Sequence, residues 1–264
     1  MSGRIADLSV FFITLNEEDR LGPALASVRD LVDDIVVVDS GSTDGTVRLA
    51  EQAGARVVHN DFPGYGRQKR LAESLCRHDW VLNLDADERV TPELAAEIRA
   101  LFAGGRPPQG AYHTPILQLY PHQDRPTAGA FEYDPVRLYD RARSQYSESP
   151  VHDRVVLGAG VAAGRLKGGI LHQSIRNLSH LIAKSNAYTD KQLEEMLAKG
   201  RKVSGLRLAV EFPFSFLKAY VGRRYFLMGT YGIGVAATYA YFRLMRLAKL
   251  HEARLLKEKV QAKG

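Results

Sequence analysis

Short apolar runs that end in polar clusters, alternating with stretches of helical spacing, constrain this chain more than any other feature. Residues 8–15 (LSVFFITL), 35–38 (IVVV), 55–59 (ARVVH) and 80–84 (WVLNL) are mostly β-branched, aromatic or otherwise apolar. Runs of this length read as buried strands. Between the first two, Leu21, Leu25, Val28 and Leu31 recur at helical spacing. Residues 46–54 and 64–77 read as helices, with Gly54 stopping the first. Thr91-Pro92-Glu93 opens another, with Thr as N-cap, Pro in the first turn and an early acid. Strands alternating with helices predict an α/β fold with a mostly parallel sheet flanked by helices. Functional loops in such sheets lie at the carboxyl ends of the strands. Three polar clusters fall there: Asn16-Glu17, residues 39–44, and Asp85-Ala86-Asp87.

After about residue 104 the pattern changes. Gly104-Gly105-Arg106-Pro107-Pro108 reads as a turn or linker. Strand-like stretches follow near 112–120, 136–139, 154–157 and 167–171, with a loop over 121–130 and a helix over 174–198. These predict a mixed or antiparallel extension that completes a site. The expected organisation is a catalytic domain over 1–198, split near 104 into a donor half and an acceptor half, and a basic, aromatic, helical tail over 199–264.

Charge supports that division. Residues 199–264 hold 14 Lys/Arg against 3 Asp/Glu, a net of +11, which leaves −5 of the overall +6 for residues 1–198. The tail interleaves its cations with apolar runs, which suits a peripheral membrane surface better than nucleic acid. Residues 225–242 lack charge but include Gly229, Gly232, Gly234 and four tyrosines. That makes them a poor spanning helix and a fair interfacial one. The lone cysteine, Cys76, permits no internal disulfide and fits a reducing compartment. Arg4 and Asp7 interrupt the N-terminus, so an export signal is not expected. The expected location is the cytoplasmic side of the cell membrane.

Two carboxylates at i and i+2 on extended chain point the same way. Asp85 and Asp87 are therefore expected to converge at a strand end, where a hard cation such as Mg²⁺ or Mn²⁺ would relieve their repulsion and bind substrate phosphates. In Asp39-Ser40-Gly41-Ser42-Thr43-Asp44-Gly45-Thr46, Ser42 or Thr43 can cap the following helix. Asp39 can accept bonds from a base or a ribose hydroxyl.

These stretches, with Thr14-Leu15-Asn16-Glu17, resemble in order and spacing the nucleotide-binding half of family 2 glycosyltransferases. Gly64-Tyr65-Gly66-Arg67-Gln68-Lys69-Arg70-Leu71-Ala72, the stretch from Asp87 to Leu94, Val136-Arg137-Leu138-Tyr139 and Val151-His152-Asp153 are similar to the subgroup that includes lipopolysaccharide inner-core β-1,4-glucosyltransferases. The resemblance covers about residues 8–190 and implies a GT-A fold. It further implies an inverting, metal-dependent transfer of a hexose from a nucleotide-sugar, a UDP-sugar by resemblance, to a membrane-associated glycolipid acceptor. Thr14 and Glu17 would line the uracil and ribose pocket, and Asp39 would contact the base. Gln68, Lys69 and Arg70 would lie beside the nucleotide. Asp85 would face the ribose and metal, and Asp87 would be the principal metal ligand. Asp153 would be the general base; the subgroup usually carries Glu there, one methylene longer. His172 is a candidate third metal ligand and Arg137 a candidate acceptor-site residue. The Gln-x-x-Arg-Trp motif of processive relatives is absent, which speaks against a polymer synthase. Two other readings stay open: a non-catalytic membrane-bound nucleotide-sugar sensor or scaffold, and a nucleotidyltransferase, although the loop after the first strand is acidic and lacks glycine. No pattern suggests nucleic-acid binding, and the sequence does not set an oligomeric state.

Overall fold

A computed structural model describes residues 3–129, 133–149 and 153–261. Ala130, within the expected 121–130 loop, and Pro150-Val151-His152, preceding the candidate base, lie outside the described residues. The chain forms two compact units: Met1–Leu119 with Glu132–Ser174, and Tyr120–Phe131 with Ile175–Gly264.

The first unit runs β1 (Ile5–Thr14), α1 (Glu18–Val28), β2 (Val32–Asp39), α2 (Thr46–Gln52), β3 (Arg56–His59), α3 (Tyr65–Ser74), β4 (Trp80–Asn83), β5 (Glu88–Val90) and α4 (Pro92–Ala103). It continues through β6 (Ala111–His113), β7 (Ile116–Gln118), β8 (Val136–Asp140), β9 (Ser144–Tyr146), β10 (Val155–Leu157), β11 (Ala163–Arg165) and β12 (Ile170–His172). Seven strands form the main sheet in the order β11-β6-β8-β4-β1-β2-β3. The β4-β1-β2-β3 part is parallel, and β8 runs antiparallel to β4 and β6.

The continuous apolar runs arise because both sheet faces are covered. Leu8, Val10 and Phe12 of β1 pack with Leu21, Leu25 and Val28 of α1 and Leu94 and Ile98 of α4. Phe11, on the opposite face, packs with Ala72 and Cys76 and with Tyr139 and Tyr146. Thr91 caps α4, its side chain accepting from the Leu94 amide at 3.2 Å, as its position before Pro92 predicts.

The stretch 112–120 is two strands rather than one, interrupted at Thr114-Pro115. The missing amide of Pro115 ends the first pairing, and β7 passes into a separate three-stranded sheet, β5-β12-β7. Strands β5, β9 and β11 were not expected: their sequences, Glu88-Arg89-Val90, Ser144-Gln145-Tyr146 and Ala163-Gly164-Arg165, hold charged, polar or glycine residues in place of an apolar run.

The second unit contains α5 (Leu178–Ala198), α6 (Gly205–Leu217), a π-helical turn (Lys218–Gly222), a 3-10 turn (Tyr225–Met228) and α7 (Gly229–Gln261). The expected boundary at 198 therefore moves, and α5 groups with the tail. It is tied to α7 both by Leu181, which packs on the cluster of Met228 and Val235, and by Lys249 Nζ, which donates to Asn186 Oδ1, Thr189 Oγ1 and Asp190 Oδ1 at 2.6–3.0 Å. The uncharged 225–242 stretch is divided between interior and surface, with Phe226, Leu227, Ile233 and Tyr241 exposed. Met228 and Val235 pack with Tyr120 and Ile175, and Ala236, Ala240 and Phe242 are buried. No helix among the described residues is long and apolar enough to cross a membrane.

Candidate active site at the strand ends

The carboxyl ends of β1 and β2 are stitched into one loop pair. Asp39 is buried, and its carboxylate accepts from Thr14 Oγ1 at 2.9 Å, from Ser42 Oγ and from the Gly41 and Ser42 amides at 2.9 and 2.7 Å. Burial acts to raise its pKa, but these four donors hold it below the ordinary carboxylate value. Asn16 adopts a left-handed conformation (φ 55°) and accepts from the Thr43 amide at 2.8 Å, while its own amide donates to Ser42 Oγ. The expected helix cap at Ser42 or Thr43 does not form: Gly45 is the N-cap of α2, and Asp44 before it accepts from the Thr46 amide at 3.0 Å. Thr14 and Asp39 thus build the walls of the loop.

Beyond β4 the chain does not stay extended. Ala86 and Asp87 turn, closed by the Glu88 amide donating to the Asp85 carbonyl at 2.9 Å. The expectation that Asp85 and Asp87 point together from an extended chain is corrected accordingly: the two carboxylates meet different partners. Asp85 binds Lys69 Nζ at 2.9 Å and Arg137 Nη2 at 3.1 Å. Burial opposes its ionisation, but the two cations hold its pKa far below the usual range. Asp87 lies 3.4 Å from His172 Nε2 and 3.2 Å from Arg20 Nη1. Burial acts against its charge as well, and His172 and Arg20 outweigh it. The His172 pKa is raised: burial favours its neutral form, and Asp87 more than reverses this. His172 reaches Asp87 through the β5–β12 pairing, which sets His172 opposite Glu88.

Lys69 is the centre of the arrangement. It is buried on α3 with its ammonium 5.3 Å from the Tyr146 ring centroid, and besides Asp85 it binds Asp153 Oδ2 at 2.8 Å. One lysine thus holds the carboxylate after β4 and the candidate base together. The motif around it follows from packing. Gly64 has φ 111°, which favours glycine. A Cβ on Gly66 would fall 2.1 Å from the Ser147 carbonyl oxygen and 2.5 Å from that of Ser149. Gln68 is fully buried and bonds Ser40 Oγ, Asn60 Nδ2 and the Asn60 carbonyl, pinning α3 to the ends of β2 and β3. Arg70 donates to the Tyr146 carbonyl at 3.0 Å, which directs it to the sheet rather than to the strand-end opening.

Arg137, expected on the acceptor side, is instead buried beneath Asp85. Its guanidinium is turned inward onto Asn83 Oδ1, Asp85 Oδ2 and Glu88 Oε1 at 2.5, 3.1 and 2.6 Å. Glu17 is held by Arg20, whose Nε and Nη2 donate to its two oxygens at 2.7 and 2.6 Å.

Three contributors escaped the sequence reading. Arg20 links Glu17 to Asp87; its one signal is the i, i+3 spacing to Glu17 on a helix whose other face is apolar. Glu88 anchors Arg137 and accepts from the Asp85 amide at 2.9 Å. It stood within a quoted motif, and an acid directly after the aspartate pair was the available cue. Tyr146 supports Lys69 and donates to Asn83 Oδ1 at 2.6 Å; nothing in its sequence context marks it.

The donor set fits a hard divalent cation. Glu17, Asp85, Asp87, Glu88 and Asp153 supply five carboxylates against the permanent cations Arg20, Lys69 and Arg137. Asp87 and His172 offer an oxygen and a nitrogen 3.4 Å apart. Among the described residues no three His, Cys, Asp or Glu side chains gather closely enough to hold an ion alone. Oxygens of a bound diphosphate would complete such a shell.

The sequence model of glycosyl transferase family 2 matches residues 9–129. An uncharacterized glycosyltransferase of Rickettsia felis is 38% identical, covering 97% of this chain and 94% of its own. The lipopolysaccharide core biosynthesis glycosyltransferase LpsC of Rhizobium meliloti is 31% identical, covering 95% and 94%. Among solved structures, S. aureus TarS 1-349 aligns with a TM-score of 0.47 at 14% identity, covering 95% of this chain and 91% of that one. The chain belongs to glycosyltransferase family 2.

Proposed function

We propose that this enzyme transfers a hexose from a UDP-sugar, with inversion at the anomeric carbon, to a hydroxyl of a membrane-associated glycolipid such as lipopolysaccharide core. The observation that carries the reading is Lys69 bound to both Asp85 and Asp153. It sets a carboxylate for the acceptor hydroxyl beside the strand ends where family 2 enzymes take the donor. Thr14, Glu17, Asp39 and Gln68 frame the nucleotide pocket, and Arg20 and Arg137 hold Asp87 and Asp85 in place. Asp153 accepts the proton of the acceptor hydroxyl. That oxygen bonds to the anomeric carbon from the face opposite the leaving group, and the carbon–oxygen bond to the diphosphate breaks with its electron pair leaving on UDP. Mg²⁺ or Mn²⁺ held by Asp87 and His172, with Asp85 close by, would offset the charge that grows on the departing diphosphate.

The acceptor class follows from similarity to LpsC and from the charge of the tail, which favours the anionic cytoplasmic face of a membrane. Two measurements test the reading. UDP-, GDP- and dTDP-sugars are compared for the rise in melting temperature they give with and without Mn²⁺, and the anomeric configuration of the product is read by NMR. The UDP-sugar with Mn²⁺ gives the largest rise, and the configuration inverts. A product that retains the donor's configuration, or stabilisation by another nucleotide alone, contradicts the proposal.

A further inference from the structure

In the second unit, α6 is built inside out. Leu206, Val210, Phe214, Leu217 and, in the π-helical turn that follows, Val221 recur every three or four residues and are all exposed, Leu206 at 76% and Phe214 at 64%. The opposite face buries Glu211 and Ser215. Glu211 is satisfied there by Arg207 Nε and Arg243 Nε at 3.0 and 3.1 Å and by Ser215 Oγ at 3.0 Å. A helix that turns its carboxylate inward and its apolar stripe outward is suited to a hydrocarbon boundary.

Beside the first turn of that stripe lies a cavity of about 280 Å³ bounded by α5, the connection to α6, and α7. Lys199, Arg201, Lys202, Arg207 and Arg246 line it, with Glu195 the one acidic residue. Lys199 is paired with Glu195 at 3.4 Å and Arg207 with Glu211, while Arg246 donates from Nη1 to Gln192 Oε1 at 3.3 Å. Arg246 Nε is buried with no hydrogen-bond partner among the described residues. Burial and the neighbouring Arg243 lower the Arg246 pKa. The amino end of α6, capped by Ser204, adds its dipole to the same region.

We propose that this cavity binds the phosphate group of an anionic lipid whose acyl chains lie along the exposed stripe of α6. This rests on the membrane-contact part of the function proposed above and names its chemistry. It moves the contact from the uncharged 225–242 stretch to α6 and the 199–203 connection.

The test is flotation of the full-length protein with phosphatidylcholine vesicles, with and without phosphatidic acid. Wild type binds the phosphatidic acid vesicles and leaves the neutral ones. The pair Arg201→Gln/Lys202→Gln weakens binding about 30-fold, the loss of two interfacial cations. Arg246→Gln also weakens it, as does Phe214→Glu. The pair Lys257→Gln/Lys259→Gln, which removes the same charge from exposed sites on α7, has a clearly smaller effect. Equal losses from the two pairs would mean diffuse attraction and overturn the pocket. Binding lost only with Phe214→Glu also overturns the pocket but leaves the membrane contact standing. A rise in melting temperature with inorganic phosphate, without vesicle binding, assigns the cavity to a soluble anion and overturns the lipid. Association of a second copy through the stripe, seen as a light-scattering mass that falls in Phe214→Glu while vesicles go unbound, overturns it too. Glycosyl transfer to a soluble acceptor analogue, unchanged in these variants, verifies their folding and keeps the catalytic reading separate.

Discussion

Lys69 stands between two carboxylates it cannot leave without cost. Buried charges are stable when paired, and removing one partner exposes the other to full desolvation. In Lys69→Met, Asp85 keeps Arg137, but Asp153 loses the cation it is paired with among the described residues. The variant is expected to lose about 3–5 kcal/mol of stability in chemical denaturation, and its transfer rate falls with it. Wild-type stability would mean that solvent, not Lys69, supports the pair. Arg137→Lys tests the neighbouring contact more gently. A point charge cannot span Asn83, Asp85 and Glu88 as the guanidinium does, so it is expected to weaken donor use while the fold persists.

At the scale of elements, α3 is the part whose sequence is explained by what it must touch. Gly66→Ala would push a methyl into the 147–149 backbone that precedes Asp153. The expected result is a loss of about 1–3 kcal/mol with kcat reduced and donor KM held, read by steady-state kinetics. Unchanged kcat would detach that loop from catalysis. At the opposite end of the sheet, Asp34 is buried between β1 and β3. It accepts from Ser9 Oγ, the Arg77 amide and Arg56 Nε and Nη2 at 2.7–3.1 Å. Burial acts to raise its pKa, and these donors bring it below the ordinary 3.8. A carboxyl with a depressed folded pKa contributes stability above its unfolded value and loses it as pH falls through the folded one. Asp34→Asn is therefore expected to cost about 2 kcal/mol at neutral pH, with the gap closing below pH 3.8 in urea titrations.

The same elements show what could be read from the chain and what could not. The parallel half was legible because β1, β2 and β4 are buried on both faces and carry unbroken apolar runs. Strands β5, β9 and β11 were missed because charged, polar or glycine residues stand in them where β7, β10 and β12 carry apolar pairs. The cluster Asp39, Asp85, Asp87 could be placed at strand ends, but its partners could not. Arg20 and Arg137 join it only through tertiary packing, and the turn at Ala86-Asp87 defeated the two-residue rule. Arg137 is the clearest case: a basic residue in a strand looks like a surface contact until the neighbouring acids are seen to be buried with it.

For the molecule as a whole, charge is uneven along the chain, and its division at 198 does not coincide with the compact units, whose second includes α5. The first 198 residues carry −5 and hold the strand-end site, and the basic remainder carries +11 with the inside-out helix α6. That distribution supports the proposed transfer from an anionic donor to a glycolipid of a membrane. The central claim is that Asp153 is the base for that transfer. Its most direct test is Asp153→Asn, assayed for sugar transfer and, in parallel, for UDP-sugar binding by thermal shift. The account predicts donor binding like that of wild type and turnover reduced about 10²- to 10⁴-fold. Turnover at the wild-type rate would contradict it.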